Sequence, residues 1–124
     1  METERRQHLR VPTRIQVSFR PLSLWSFGTS SAGMREGTIQ NLGVGGVQIC
    51  ADALLPADTG VFLQFNLLGG PHPDRAHGRV LETLPHGNHY LLSIAFTEVN
   101  EKLLQAIEDF VITSTPNQSQ KLLL

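Results

Sequence analysis

Residues 41–51 read Asn41-Leu42-Gly43-Val44-Gly45-Gly46-Val47-Gln48-Ile49-Cys50-Ala51. The first half is turn chemistry: an asparagine followed by glycines that relax the backbone. The second half alternates, with Val47, Ile49 and Ala51 apolar and Gln48 and Cys50 between them. Successive strand side chains point to opposite faces, so this pattern is a strand with one face buried. Thr38-Ile39-Gln40 leads into the turn at 41–46, which the sequence therefore places between two strands.

The same pattern repeats outward from this stretch. Ile15, Val17 and Phe19 alternate with Gln16 and Ser18, another half-buried strand. Residues 21–37 are rich in Ser and Gly and read as a long hairpin connection, with Trp25 and Phe27 unusual inside it. Beyond the turn bracketed by Pro56 and Gly60, Val61, Leu63, Phe65 and Leu67 alternate again. Residues 69–78 read as a loop. Val80 to Leu84 and Tyr90 to Phe96 read as two strands around the polar break Pro85-His86-Gly87-Asn88, a hairpin signal. Then the period changes. Leu103, Leu104, Ile107, Phe110 and Val111 form one face of an amphipathic helix. Asn100 is the expected N-cap, Glu98 and Glu101 suit the positive end of the helix dipole, and Pro116 stops the helix.

The sum is an all-β domain of about six short strands with a terminal helix covering one opening or edge. Strands at this spacing suggest a closed or nearly closed barrel. The expected organisation is a flexible basic arm at 1–10, a single domain at 11–113 and a disordered tail at 114–124.

The chain has 124 residues, enough for one core, and 40% are hydrophobic. A net charge of −1 gives no whole-molecule field to recruit nucleic acid or membrane. No apolar stretch approaches the ~20 residues that span a bilayer. The N-terminus lacks the apolar run of a signal peptide. Cys50 is the sole cysteine, so no internal disulfide forms and a reducing, cytoplasmic setting is expected.

The average charge hides an asymmetry. Arg5, Arg6, Arg10, Arg14 and Arg20 stand in the first stretch of chain against only Glu2 and Glu4. Such an arm suits an anionic ligand of modest size. Its core is Arg6-x-x-x-Arg10 with Arg5 directly before it, and the turn downstream is Asn41-x-Gly43-x-x-Gly46. Together these resemble the PilZ family, whose hallmarks are an R-x-x-x-R arm before the first strand and a [D/N]-x-S-x-x-G turn after the second. ERRQHLRVP is similar to that arm and NLGVGGVQI to that turn, while Ser93-Ile94-Ala95-Phe96 resembles a late G-x-x-F strand motif. The resemblance covers roughly residues 4–112.

It implies a six-stranded antiparallel split β-barrel with a C-terminal helix. It also implies a bacterial receptor for the second messenger cyclic di-GMP that signals in trans to a protein effector, in motility, pili or exopolysaccharide output. The ligand-binding residues implied are Arg5, Arg6, Arg10, Asn41, Gly43, Gly46 and Ser93, and Arg5 ahead of the arm motif favours an intercalated ligand dimer. Physical chemistry agrees with those residue types. Arginine forks pair bidentately with phosphate oxygens, match guanine O6 and N7, and stack on bases. Two departures stand out: Gly43 replaces the turn serine, and Ser93 replaces the late-strand glycine. They motivate an alternative, a degenerate PilZ adaptor that binds a protein without nucleotide. Members of the family that lost ligand binding mostly lack the arginines, which this chain keeps.

Other chemistries find little footing. His86 and His89, and His72 and His77 around Asp74, sit among Pro and Gly without a second cysteine or an H-E-x-x-H helix, so no metal is expected. No G-x-S-x-G, Walker lysine or paired carboxylates point to an enzyme. Few aromatics lie on the strands, which argues against a binder of single-stranded DNA or RNA.

Overall fold

The computed structural model describes residues 10–22 and 33–114. Among them lie six strands: β1 (Arg10–Pro21), β2 (Arg35–Gly43), β3 (Gly46–Ala51), β4 (Gly60–Phe65), β5 (Asp74–His86) and β6 (His89–Val99). One helix follows, α1 (Glu101–Thr113). All pairings are antiparallel, and the strands close into a barrel in the order β1-β2-β3-β6-β5-β4. The fold is the six-stranded antiparallel barrel with a C-terminal helix that the sequence implied.

The alternation explains the closure. Val17, Phe19, Ile39, Val47, Ile49, Leu63, Val80, Leu92 and Ile94 all point inward and are essentially inaccessible to solvent. Every strand contributes, so no single hairpin could bury its apolar face alone. β1 pairs with β4 only from Val17 to Pro21, whereas its N-terminal half pairs only with β2. That free flank explains Pro12 within a strand: its missing N–H removes no ladder bond on the unpaired side.

The helix supplies the rest of the core. Leu103, Ile107 and Val111 are buried in the same cluster as the strand residues, and α1 packs against β2. The Asn100 side chain accepts a bond from the Leu103 N–H at 2.8 Å, the N-cap expected from sequence. Glu98 is placed differently: it belongs to β6, and its carboxylate meets the His77 ring. Because the barrel is closed, the stripe of α1 covers core residues and not a sheet edge.

Several boundaries differ from the sequence reading, and the connection expected at 21–37 is shortened because β2 begins at Arg35. The loop at 69–78 ends at Asp74, because residues 74–78 pair with β4 and bury Ala76. The Asp74 carboxylate accepts from the Leu67 and Leu68 N–H groups, so Leu67 sits in the loop beyond β4. The 41–46 turn contracts to Val44-Gly45, since Asn41 to Gly43 are ladder residues of β2. The break at 85–88 contracts to Gly87-Asn88, since Pro85 and His86 pair with Tyr90 and His89. Where a loop or turn is shorter than expected, strand pairing extends past the point where side-chain alternation fades; at Leu67 the pairing stops before the alternation does.

Trp25 and Phe27 lie outside the described residues, as do Arg5, Arg6 and residues 115–124.

Candidate ligand-binding face of the barrel

Antiparallel partners directly opposite each other share a face of the sheet. Following the register around the wall therefore lists the outward residues row by row. One row runs Arg10 (β1), Gly43 (β2), Gly46 (β3), Ala95 (β6) and Arg79 (β5). Their strand neighbours Val11, Leu42, Val47, Ile94 and Val80 are all buried, so the row lies on the outer side of the wall, where Arg10 and Arg79 are exposed but Gly43 and Gly46 are themselves buried. Arg10 and Arg79 are exposed, and their guanidinium groups make no hydrogen bond or ion pair among the described residues. Four strand steps of about 4.8 Å separate them, and the row members between are Gly43, Gly46 and Ala95.

The neighbouring row runs Pro12, Asn41, Gln48, Ser93 and Glu82. Asn41 reaches it through a β-bulge. Ile39 pairs with Ile49, but the next pair is Asn41 with Gln48, so Gln40 is the extra residue. Without the bulge, Asn41 would share the inward face of Ile39. With it, Asn41 faces outward and Leu42 takes the core position. There Asn41 Nδ2 donates to Gln48 Oε1 at 2.9 Å. A second bulge leaves Leu81 unpaired between Val80 and Glu82, which accounts for its exposure.

The β2–β3 turn is fixed from outside its own hairpin. The Phe96 N–H on β6 donates to the Gly45 carbonyl at 2.9 Å, and the Phe96 ring packs on the core. Gly46 is required by this packing alone, because any Cβ there would overlap the Ile94 carbonyl oxygen. Gly46 thus serves the barrel whatever else it does.

Of the candidate residues, the structure brings together Arg10, Asn41, Gly43, Gly46 and Ser93 on one face of adjoining strands. Arg10 is the first residue of β1, opposite Gly43, not the last residue of a loose arm. The strand also disperses the basic cluster. Arg14 lies at the β1 bulge, and Arg20, ten residues and roughly 33 Å along β1 from Arg10, sits over the Phe62 ring at 5.4 Å. Gln48 and Arg79 were missed by sequence reasoning. Gln48 was visible as the first outward residue after Gly46, but Arg79 needed the register of three strands to find.

Farther along the same wall lies a shallow depression of about 270 Å³ lined by Gln16, Thr38, Gln40, Cys50, Glu36, Asp52 and His89. Its two carboxylates make it unsuited to an anion, and His89 Nδ1 already meets Asp52. Cys50 is half-buried there on the outer face. Among the described residues no three His, Cys, Asp or Glu side chains are grouped to hold a metal ion. Nor is any helix among them long and apolar enough to cross a membrane.

Comparison with known proteins agrees with this architecture. The model of the PilZ domain matches residues 4–113. This chain belongs to the PilZ domain family. No curated protein matches it. Among solved structures, the Bacillus subtilis inhibitor of motility MotI/DgrA is similar over 90% of this chain and 51% of its own, with TM-score 0.72 and 14% identity. The PilZ domain with cyclic di-GMP of Escherichia coli YcgR is similar over 95% and 97%, with TM-score 0.60 and 12% identity. The PilZ domain of CeSA from a cellulose-synthesizing bacterium is similar over 85% and 96%, with TM-score 0.57 and 17% identity. The chain spans about half the length of the MotI/DgrA chain.

Proposed function

We propose that this PilZ domain is a cyclic di-GMP receptor that works as a signalling adaptor and not as an enzyme. The observation that carries the reading is the register that seats Arg10 beside Gly43, with Asn41 and Ser93 in the adjoining outward row. An anionic ligand of two phosphates and two guanines meets there a guanidinium and polar side chains that read base edges. Arg5 and Arg6 precede this row in sequence and complete the clamp on phosphate and guanine. Arg79 adds a second unpaired cation on the same row. The YcgR domain, solved with cyclic di-GMP, supports the choice of ligand.

Binding changes the surface offered to a protein effector. Motility, pili or exopolysaccharide synthesis are the proposed outputs, in the cytoplasm of a bacterium, with no role for DNA, RNA or membrane insertion. A second reading, an adaptor that binds protein without nucleotide, draws on Gly43 and Ser93. The missing serine hydroxyl weakens binding by one hydrogen bond, about 0.5–1.5 kcal/mol, and the side chains of Arg10, Asn41 and Ser93 remain.

Calorimetric titration with cyclic di-GMP, with GTP as control, tests the proposal. Saturable binding specific for the cyclic dinucleotide, lost in Arg6→Ala, is the expected result, and its stoichiometry reports on Arg5. A folded protein that ignores high micromolar ligand would favour the nucleotide-free adaptor.

A further inference from the structure

The C-terminal half of β1 forms, with β4 and β5, a wall that the candidate ligand row meets only at Arg79. Two other outward rows cross this wall. One runs Arg20, Phe62 and His77, the other Ser18, Gln64 and Arg75. Phe19, Val61, Leu63 and Ala76 beside them are buried, so the six side chains face out. The first row is stacked. The Arg20 guanidinium lies 5.4 Å from the centre of the Phe62 ring, and the Phe62 and His77 rings are 5.6 Å apart. Phe62 is half-buried and keeps part of its surface open. Arg75 is exposed, and its guanidinium has no partner among the described residues. None of the six is acidic. Asp74 adjoins Arg75, but its carboxylate is turned onto the Leu67 and Leu68 N–H groups.

Carboxylates stand instead along the two sides of the wall. Glu36 of β2 accepts from Ser18 Oγ at 2.8 Å, and Glu98 of β6 meets the His77 ring at 3.2 Å. The cationic, aromatic strip between them is three strands wide, two steps of about 4.8 Å. A membrane surface or a nucleic-acid duplex spreads its negative charge well beyond that width and would meet both carboxylates. A short acidic segment of a protein fits between them. Arginine and aromatic side chains are where interface energy concentrates, and complementary charge steers the encounter.

We propose that the β1–β4–β5 wall docks a short acidic segment of a protein partner, with an apolar side chain on Phe62 and carboxylates on Arg20 and Arg75. The proposal goes beyond the receptor reading, because neither row contains a candidate ligand residue and docking needs no nucleotide.

The test is titration of the isotope-labelled full chain, without nucleotide, with the end-capped peptide Glu-Glu-Leu-Glu-Glu, followed by backbone amide shifts. Its counterpart Gln-Gln-Leu-Gln-Gln, a single-stranded oligothymidylate and phosphatidylglycerol vesicles are titrated beside it. Saturable shifts at Phe62, Gln64, Arg75 and His77 are expected at roughly millimolar peptide, the strength of a few exposed charge pairs on one apolar contact. Added salt is expected to weaken them. Arg20→Glu with Arg75→Glu is expected to weaken the peptide by at least about tenfold, since two attractive charges become repulsive. The melting temperature and the affinity for cyclic di-GMP are expected to stay as in wild type. Arg75→Glu alone, at an exposed site, is expected to cost about threefold and serves if the double variant fails to fold. No shifts at several millimolar peptide overturn the proposal. So do equal binding of the glutamine peptide, undiminished binding by the charge-reversed variants, or tighter binding of oligothymidylate or vesicles at the same residues. Cyclic di-GMP added to wild type in a separate titration tests the receptor reading, so the two can fail independently.

Discussion

The barrel contains two hairpins with loops of equal length, Val44-Gly45 between β2 and β3 and Gly87-Asn88 between β5 and β6. They are built in opposite ways. Gly87 has φ of +62°, so the second turn is made by local backbone freedom, and residues 84–89 are exposed. The first turn is held by a third strand, through the Phe96 N–H on the Gly45 carbonyl and the contact of Gly46 with Ile94. A turn that only reverses the chain needs nothing from its neighbours. One fixed from three strands holds its outward groups at set positions, which is what a binding face requires.

Glycine substitutions separate the two designs most strongly. Gly46→Ala drives a methyl into backbone and is expected to cost about 3 kcal/mol, by analogy with severe overpacking. Gly87→Ala meets no atom within 4 Å. Only its positive φ resists, at about 1 kcal/mol. Urea unfolding of both variants measures the difference, and equal losses would break the contrast.

Ligand affinity sharpens it next. Arg10→Ala is expected to weaken cyclic di-GMP binding by about 10- to 100-fold, the worth of charge-assisted hydrogen bonds at roughly 1.5–3 kcal/mol. Stability should stay within about 0.5 kcal/mol, because Arg10 is exposed and unpaired among the described residues. His86→Ala at the other hairpin is expected to leave affinity alone. Titration of the two side by side decides, and comparable losses would mean that the ligand sits elsewhere.

Restoring the family serine gives a smaller gain. Gly43→Ser adds one hydroxyl on the Arg10 row and is expected to tighten binding by about three- to tenfold. No gain would show that Ser93, in the adjoining row, already fills that role. Smallest of all, Asn88→Ala is expected to alter neither affinity nor stability beyond about 0.5 kcal/mol.

The inward half of this molecule was legible from sequence, and the outward half only partly so. Val47, Ile49 and Ala51 announced their strand by alternation, and Leu103, Ile107 and Val111 announced the helix by their spacing. Asn41 was singled out, but as a turn residue. The spacing of three between Ile39 and Leu42, where unbroken alternation needs two or four, is the trace of the bulge that turns Asn41 outward. β5 began earlier than expected because Asp74, Ala76 and Gly78 have low strand propensity, and pairing with β4 overrides it. Arg79 carried no local signal, since its relation to Arg10 exists only through the pairing order of the strands. The alignment of distant residues is a property of closure, which no window of sequence contains.

The central claim is that cyclic di-GMP binds the outer wall at the β2–β3 hairpin. Backbone amide shifts of labelled protein, followed through a titration with the ligand, test it most directly. Saturable changes at Gly43, Gly46, Gln48 and Ser93, with Gly87 and Asn88 silent, are the predicted result. Spectra unchanged at high micromolar ligand, or changes centred on Gly87 and Asn88, would contradict it.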